Sequence, residues 1–132
     1  MLVTSALPRV LDDVPGFRYL VQAAHPRGRG IDFHERSDDP VHLTELLTPE
    51  RIKIPLTASS KDDILGELVE VVGQSAAIRD VAEVLRAVRE REEVLSTGIG
   101  NGVAIPHGKS SSIHELALVA GVKPEGIDFE AL

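Results

Sequence analysis

The sequence contains no cysteine and no tryptophan, and aromatic residues make up only 3% of its 132 positions. Without thiols there is no disulfide, no thiolate metal site and no cysteine nucleophile. The scarcity of aromatic rings means that the core must be mostly aliphatic. Basic residues are outnumbered 14 to 21, leaving a net charge of −7. Duplex nucleic acid and anionic membranes both demand basic surface, so neither is expected as the main partner. No 18-residue apolar run occurs, which excludes a helical membrane span in the sequence reading. The opening MLVTSALPRVLDDV has no basic stretch ahead of a sustained apolar one, so it does not read as a signal peptide. What is present is 42% apolar residues in a chain of one-domain length, as a small, acidic, cytoplasmic domain would have.

Charge and turn formers divide the chain. Residues 1–40 hold five Arg and six acidic residues, against nine basic and fifteen acidic in residues 41–132. The first segment contains His25-Pro26-Arg27-Gly28-Arg29-Gly30 and Ser37-Asp38-Asp39-Pro40, both rich in turn formers. An apolar-leaning stretch between Phe17 and Ala24 reads as a short helix, with no pattern long enough for a core of its own. The expected organisation is therefore an extension over 1–40, of low order or dependent on a partner, and a domain over 41–132.

Patterning sharpens after Val41. Arg51-Ile52-Lys53-Ile54-Pro55-Leu56 alternates polar and apolar residues as a half-buried strand does, with Pro55 pointing to a sheet edge or strand end. Ser59-Ser60-Lys61-Asp62-Asp63 reads as an N-cap with carboxylates in the first helical turn. Ile64, Leu65, Leu68, Val71 and Val72 then recur at helical spacing until Gly73. Asp80 and Glu83 open a second helix, with Val81, Val84, Leu85 and Val88 on one face and Arg86, Arg89, Glu90 and Glu93 on the other. The helix carboxylates read as solvated faces and i,i+4 partners. Leu116–Val122 is a candidate buried strand, and Lys123-Pro124-Glu125-Gly126 a turn.

Chemistry concentrates between Thr97 and Gly108. Gly98, Gly100 and Gly102 allow positive φ and close approach of backbone N–H groups to an anion. The run lacks the lysine ending of a P-loop and the spacing of a dinucleotide fold, so by itself it reads as a simple turn more readily than as a phosphate site. His107 follows the short apolar strand Val103-Ala104-Ile105, between Pro106 and Gly108. Its imidazole is either a nucleophile with one nitrogen aimed by a hydrogen bond at the other, or an ordinary strand-end histidine bonded to backbone. His25, His34, His42 and His114 read as surface histidines, because no metal-ligand spacing occurs among them. Ser110–Ser112 read as loop serines, since no nucleophile elbow is present.

The eighteen residues Arg91-Glu92-Glu93-Val94-Leu95-Ser96-Thr97-Gly98-Ile99-Gly100-Asn101-Gly102-Val103-Ala104-Ile105-Pro106-His107-Gly108 resemble the phosphorylation-site segment of enzyme IIA domains. These are the type 2 domains of the bacterial phosphoenolpyruvate-dependent phosphotransferase system, the fructose, mannitol and nitrogen-regulatory class. The resemblance runs from Val41 to Leu132, including Leu-Leu-Thr-Pro-Glu-Arg-Ile near its start and Gly-Ile-Asp-Phe near its end, and leaves out residues 1–40.

The resemblance implies an α/β fold with a mixed sheet sandwiched by helices. It implies that His107 accepts a phosphoryl group from the phosphohistidine of an HPr-like carrier and passes it to a IIB domain or, in the regulatory branch, engages protein targets. Arg91 matches an arginine of the motif and would supply the cation. Thr97, Gly98, Gly100, Asn101 and Gly102 would hold phosphoryl oxygens. No metal, nucleotide or other cofactor is required, and a chain without cysteine cannot be the IIB acceptor. Family domains continue beyond the point matched by Leu132 and carry a second histidine, so a C-terminally truncated, incomplete domain is expected. The alternatives are a regulatory protein-binding module and an inactive relative. The wording Ser-Thr-Gly-Ile-Gly-Asn-Gly leans toward the regulatory branch; the oligomeric state is left open.

Overall fold

A computed structural model describes residues 17–24 and 42–130. The turn-rich stretches at 25–30 and 37–40, with His25 and His34, lie outside the described residues, as do 131–132. The first described element is β1 (Phe17–Ala24); after residue 42 come a single helical turn α1 (Leu43–Leu46), a 3₁₀ turn over Pro49–Arg51 and β2 (Ile52–Lys53). Two long helices follow, α2 (Lys61–Gly73) and α3 (Val81–Val94). Four strands complete the order: β3 (Gly98–Gly100), β4 (Val103–Ala104), β5 (His107–Lys109) and β6 (Ala117–Lys123).

Both long helices start where their capping residues dictate. The Ser60 hydroxyl accepts the Asp63 N–H at 3.1 Å, and the Asp80 carboxylate accepts the Glu83 N–H at 3.0 Å. Each cap satisfies one of the donors that a helix start leaves without an intrahelical partner. Glu83 does not return the bond to complete a reciprocal capping box; its carboxylate reaches the loop after β5 instead.

Among the described residues the sheet has six strands, in the order β2-β6-β1-β4-β3 with β5 also paired to β1. β1 is antiparallel to β6 and parallel to β4 and β5, so the sheet is mixed, as expected. β2 lies at the edge beside β6 and ends two residues before Pro55, the position that proline predicts. The stretch Phe17–Ala24 is an eight-residue strand and not the short helix expected from its apolar character. Short apolar runs carry no decisive period, and here pairing with β6 on one side and β4 and β5 on the other decides the conformation.

α2 and α3 pack against each other, α2 also against β6 and α3 against β5. Their contact with the sheet encloses an aliphatic core of Leu56, Ile64, Leu65, Leu68, Val69, Val72, Val84, Val88, Ala104, Ile113, Ala117, Val119 and one aromatic ring, Phe129. Burial of each large side chain in this set contributes about 1.5–3 kcal/mol. The predicted stripe holds for Ile64, Leu65, Leu68 and Val72, and for Val84 and Val88, whereas Val81 at the start of α3 stays exposed.

Candidate active site

The glycine-rich segment is a β-hairpin. β3 pairs antiparallel with β4, and the two residues between them, Asn101 and Gly102, have φ of 51° and 70°. Positive φ at both central positions is the signature of a two-residue turn whose twist suits a hairpin, and Asn-Gly is its preferred sequence. The register places Gly98 opposite Ala104, and the Ile105 N–H donates to the Thr97 carbonyl at 3.0 Å.

β4 and β5 keep one register along β1: Val103 stands opposite Arg18, Ala104 opposite Tyr19 and His107 opposite Gln22. His107 is therefore the first residue of β5 itself, on the line begun by β4. Extending that register puts its level beside the hairpin at Leu95, just before the root at Thr97. The tip at Asn101–Gly102 lies five to six residues away along the strand, roughly 16–20 Å at about 3.3 Å per residue. Of the expected phosphate-holding residues, Thr97 and Gly98 stand at the root of the hairpin, nearer the level of His107, and Gly100, Asn101 and Gly102 toward its tip.

The position of β5 depends on Gly108. A Cβ at this residue would stand 2.8 Å from the Val88 backbone nitrogen and 3.0 Å from the Ala87 carbonyl carbon. Only a residue without a side chain lets α3 come so close to the strand that carries His107.

The His107 ring is partly buried, and its Nδ1 lies 3.0 Å from the Ile105 carbonyl oxygen. A carbonyl only accepts, so in the neutral ring Nδ1 carries the hydrogen and Nε2 keeps its lone pair. Two further links tie this backbone to a buried carboxylate. Glu92 is 6% exposed and accepts from the Thr97 N–H at 3.0 Å and from the Thr97 hydroxyl at 2.5 Å. On its other side Lys61 approaches at 3.0 Å. Burial pushes the Glu92 carboxyl upward, but the Thr97 hydroxyl and N–H, with Lys61, outweigh it and hold the group below the ordinary carboxylate range. A continuous set of contacts thus runs from Lys61 through Glu92, Thr97 and Ile105 to His107.

Arg91 stands in the last turn of α3, where its guanidinium donates to the Leu95 carbonyl at 2.9 Å. The Thr97 hydroxyl is committed to Glu92, and the Gly98 N–H is directed at the Ser96 hydroxyl at 3.3 Å. A cavity of about 440 Å³ opens between α2 and α3, lined by Lys61, Asp62, Arg89, Glu92, Ser96 and Glu130 among others, and His107 is not part of its wall. Among the described residues no cluster of three or more His, Cys, Asp or Glu has a metal-binding arrangement. No helix among them is long and apolar enough to cross a membrane.

Residues 45–132 match the family model described as "Phosphoenolpyruvate-dependent sugar phosphotransferase system, EIIA 2". The chain belongs to this family. Over 90 residues, 68% of its length, it is 37% identical to the fructose-specific EIIABC component of Bacillus subtilis strain 168, of which it covers 14%. It is 32% identical over 85 residues, 64% of the chain, to the fructose-like EIIA component of Escherichia coli K12, covering 57% of that protein. The mannitol-specific enzyme IIA component of Staphylococcus aureus strain Mu50 is 30% identical over 92 residues, 67% of this chain and 62% of the relative. The chain thus spans less than two thirds of the length of the relatives it matches. No solved structure matches it.

Three carboxylates of this EIIA 2 domain depart from the solvated faces expected of its helices. Glu92 is buried as described, and Glu67 is 8% exposed, bonded to the N–H groups of Thr57 at 3.0 Å and Ala58 at 2.9 Å and paired with Lys53 at 2.9 Å. Burial raises the Glu67 carboxyl, but Lys53 and these N–H donors prevail and bring it to about 2. Glu83 accepts from the hydroxyls of Ser110, Ser111 and Ser112, which also bring it to about 2 and fasten the loop after β5 to the start of α3. The loop serines are therefore a clamp. The signal for Glu92 was present: it continues the stripe of Val84 and Val88 at the next i+4 step, and Glu67 likewise stands between Ile64 and Val71 on the inner face.

Proposed function

We propose that this domain is a phosphoryl carrier with Nε2 of His107 as the acceptor. The observation that carries this reading is the bond between Nδ1 and the Ile105 carbonyl, which leaves the Nε2 lone pair available. In the step, that lone pair attacks the phosphorus of a phosphohistidine on an HPr-like donor. A new N–P bond forms as the donor's N–P bond breaks, and the electron pair returns to the donor's ring nitrogen. The hydrogen stays on Nδ1, donated to the Ile105 carbonyl, whose dipole stabilises the positive charge gained by the ring. Such in-line transfer asks the protein mainly for positioning and charge stabilisation.

Arg91 at the end of α3 is the cation we assign to the phosphoryl oxygens, by releasing Leu95. Of the expected cradle we keep Thr97 and Gly98 at the hairpin root, on exchange of their bonds to Glu92 and Ser96, and leave out Gly100, Asn101 and Gly102 at the distant tip. We read residues 41–132 as the carrier domain and 1–40 as an extension to it. The relatives named for fructose and mannitol favour sugar phosphotransfer over nitrogen-type regulation, with a IIB domain as the next acceptor and the cytoplasm as the site of action.

The test is incubation of the full chain with phosphoenolpyruvate, enzyme I and HPr, followed by intact-mass measurement. The expected product carries one acid-labile phosphoryl group, absent from His107→Ala. A folded wild-type chain that stays unmodified overturns the proposal, as does a phosphoryl group found by NMR on Nδ1.

A further inference from the structure

The strand at the centre of the sheet comes from outside the family match. β1 covers Phe17–Ala24, whereas the match begins at residue 45. On one side β1 is registered with β6 from Phe17↔Lys123 to Ala23↔Ala117. On the other it is registered with β4 at Arg18 and Tyr19 and with β5 at Gln22, Ala23 and Ala24. Without β1 the described strands fall into two separate pairs, β2–β6 and β3–β4. β5 would then have no strand partner among the described residues.

That strand holds His107. It is gripped by α3 at Gly108 from one direction and by the backbone of β1 along its edge. The gap between β6 and the β4–β5 line is two strand spacings, about 10 Å, the width that one extended segment fills while satisfying N–H and C=O groups on both sides. An empty gap of this kind would leave two open strand edges.

We propose that residues 17–24 are a strand insert, supplied by this chain to its own carrier domain, that completes the sheet and positions His107. The 18 residues from 25 to 42 join β1 to α1. Fully extended they reach roughly 60 Å, well beyond the about 35 Å diameter of a domain this size, so the insert can close on its own molecule. Intramolecular closure then has the advantage of a high effective concentration. The positioning role rests on His107 being the phosphoryl acceptor; the insertion itself does not.

The test of insertion uses the absence of cysteine. Arg18 and Val122 are cross-strand partners, so their Cα atoms lie about 4.5–5.5 Å apart, within disulfide range. The full-length Arg18→Cys/Val122→Cys variant should oxidise to a cross-linked monomer, and Arg18→Cys/Glu115→Cys should not. A cross-link found only between two molecules, or none at all, overturns insertion in cis.

The positioning role is tested with Val21→Pro, which removes a ladder donor from the middle of β1. Hydrogen exchange should show lost protection at 107–109 and 118–122 with α2 and α3 still protected. Phosphoryl acceptance should slow roughly 10²-fold, and ¹⁵N spectra should show His107 in a mixture of ring tautomers. Val21→Thr should behave as wild type, and a synthetic peptide of residues 16–25 should rescue the proline variant. Wild-type exchange and transfer rates in Val21→Pro overturn the proposal. If the wild type accepts no phosphoryl group, the carrier function fails, while the cysteine pair and exchange data still decide the insertion.

Discussion

Replacing Glu92 by Gln perturbs the contacts behind His107 without changing side-chain volume. The carboxylate accepts both Thr97 donors and pairs with Lys61. An amide keeps one acceptor oxygen and turns a donor toward either the Thr97 hydroxyl or the Lys61 ammonium. A hydrogen bond to a charged group contributes about 1.5–3 kcal/mol, and removing one partner of a buried pair costs more. Lys61 retains Glu130 at 2.9 Å, which offsets part of its loss. A destabilisation of about 2–3 kcal/mol is therefore expected. With an unfolding entropy of about 2.1 cal/mol/K per residue, that lowers Tm by roughly 7–11 °C for a chain this long. The sign with pH follows from the lowered carboxyl: its stabilisation is complete above the unfolded value of 4.5 and is lost as pH falls through the folded one. The gap between wild type and Glu92→Gln should thus be full at neutral pH and close in acid. Urea titrations at several pH values measure it, and a double-mutant cycle with Thr97→Val should return a coupling of about 1–2 kcal/mol. Equal stability at neutral pH, or a gap that persists in strong acid, would refute the reasoning.

Other substitutions probe the rest of the site. Gly108→Ala forces a Cβ against the α3 backbone; about 1–3 kcal/mol of stability should be lost in thermal melts, with slower phosphoryl acceptance. Because Glu67 falls to about 2 from 4.5 on folding, wild-type stability should decline as pH drops from about 4.5 to about 2, and Glu67→Gln should flatten that part of a pH–stability curve. Asp80→Ala removes the α3 cap and should cost about 1 kcal/mol in urea titration. Gly102→Val places a β-branched residue at a φ of 70°, and should lower Tm through strain of about 1–3 kcal/mol at the turn.

Much of the local structure could be read along the chain because its causes are local. Ser60 and Asp80 cap helices through N–H groups three residues on, and the apolar stripes of α2 and α3 repeat within each helix. Asn101-Gly102 contains a turn preference that needs no distant partner, although the strands around it form only through pairing. The motif around His107 likewise singled out the proposed acceptor from eighteen consecutive positions.

Tertiary structure decided what depends on residues far apart. Phe17–Ala24 is a strand because its backbone meets residues about a hundred positions later, and an apolar octapeptide has no period that records such a meeting. Glu92 is buried because Lys61 and Thr97 converge on it from α2 and the root of the hairpin. Which nitrogen of His107 is free follows from the placement of the Ile105 carbonyl, held by the line of β4 and β5 along β1. Residue identity determined that an imidazole would be present; the packing of distant backbone determined which way it faces and which of its two nitrogens keeps the lone pair.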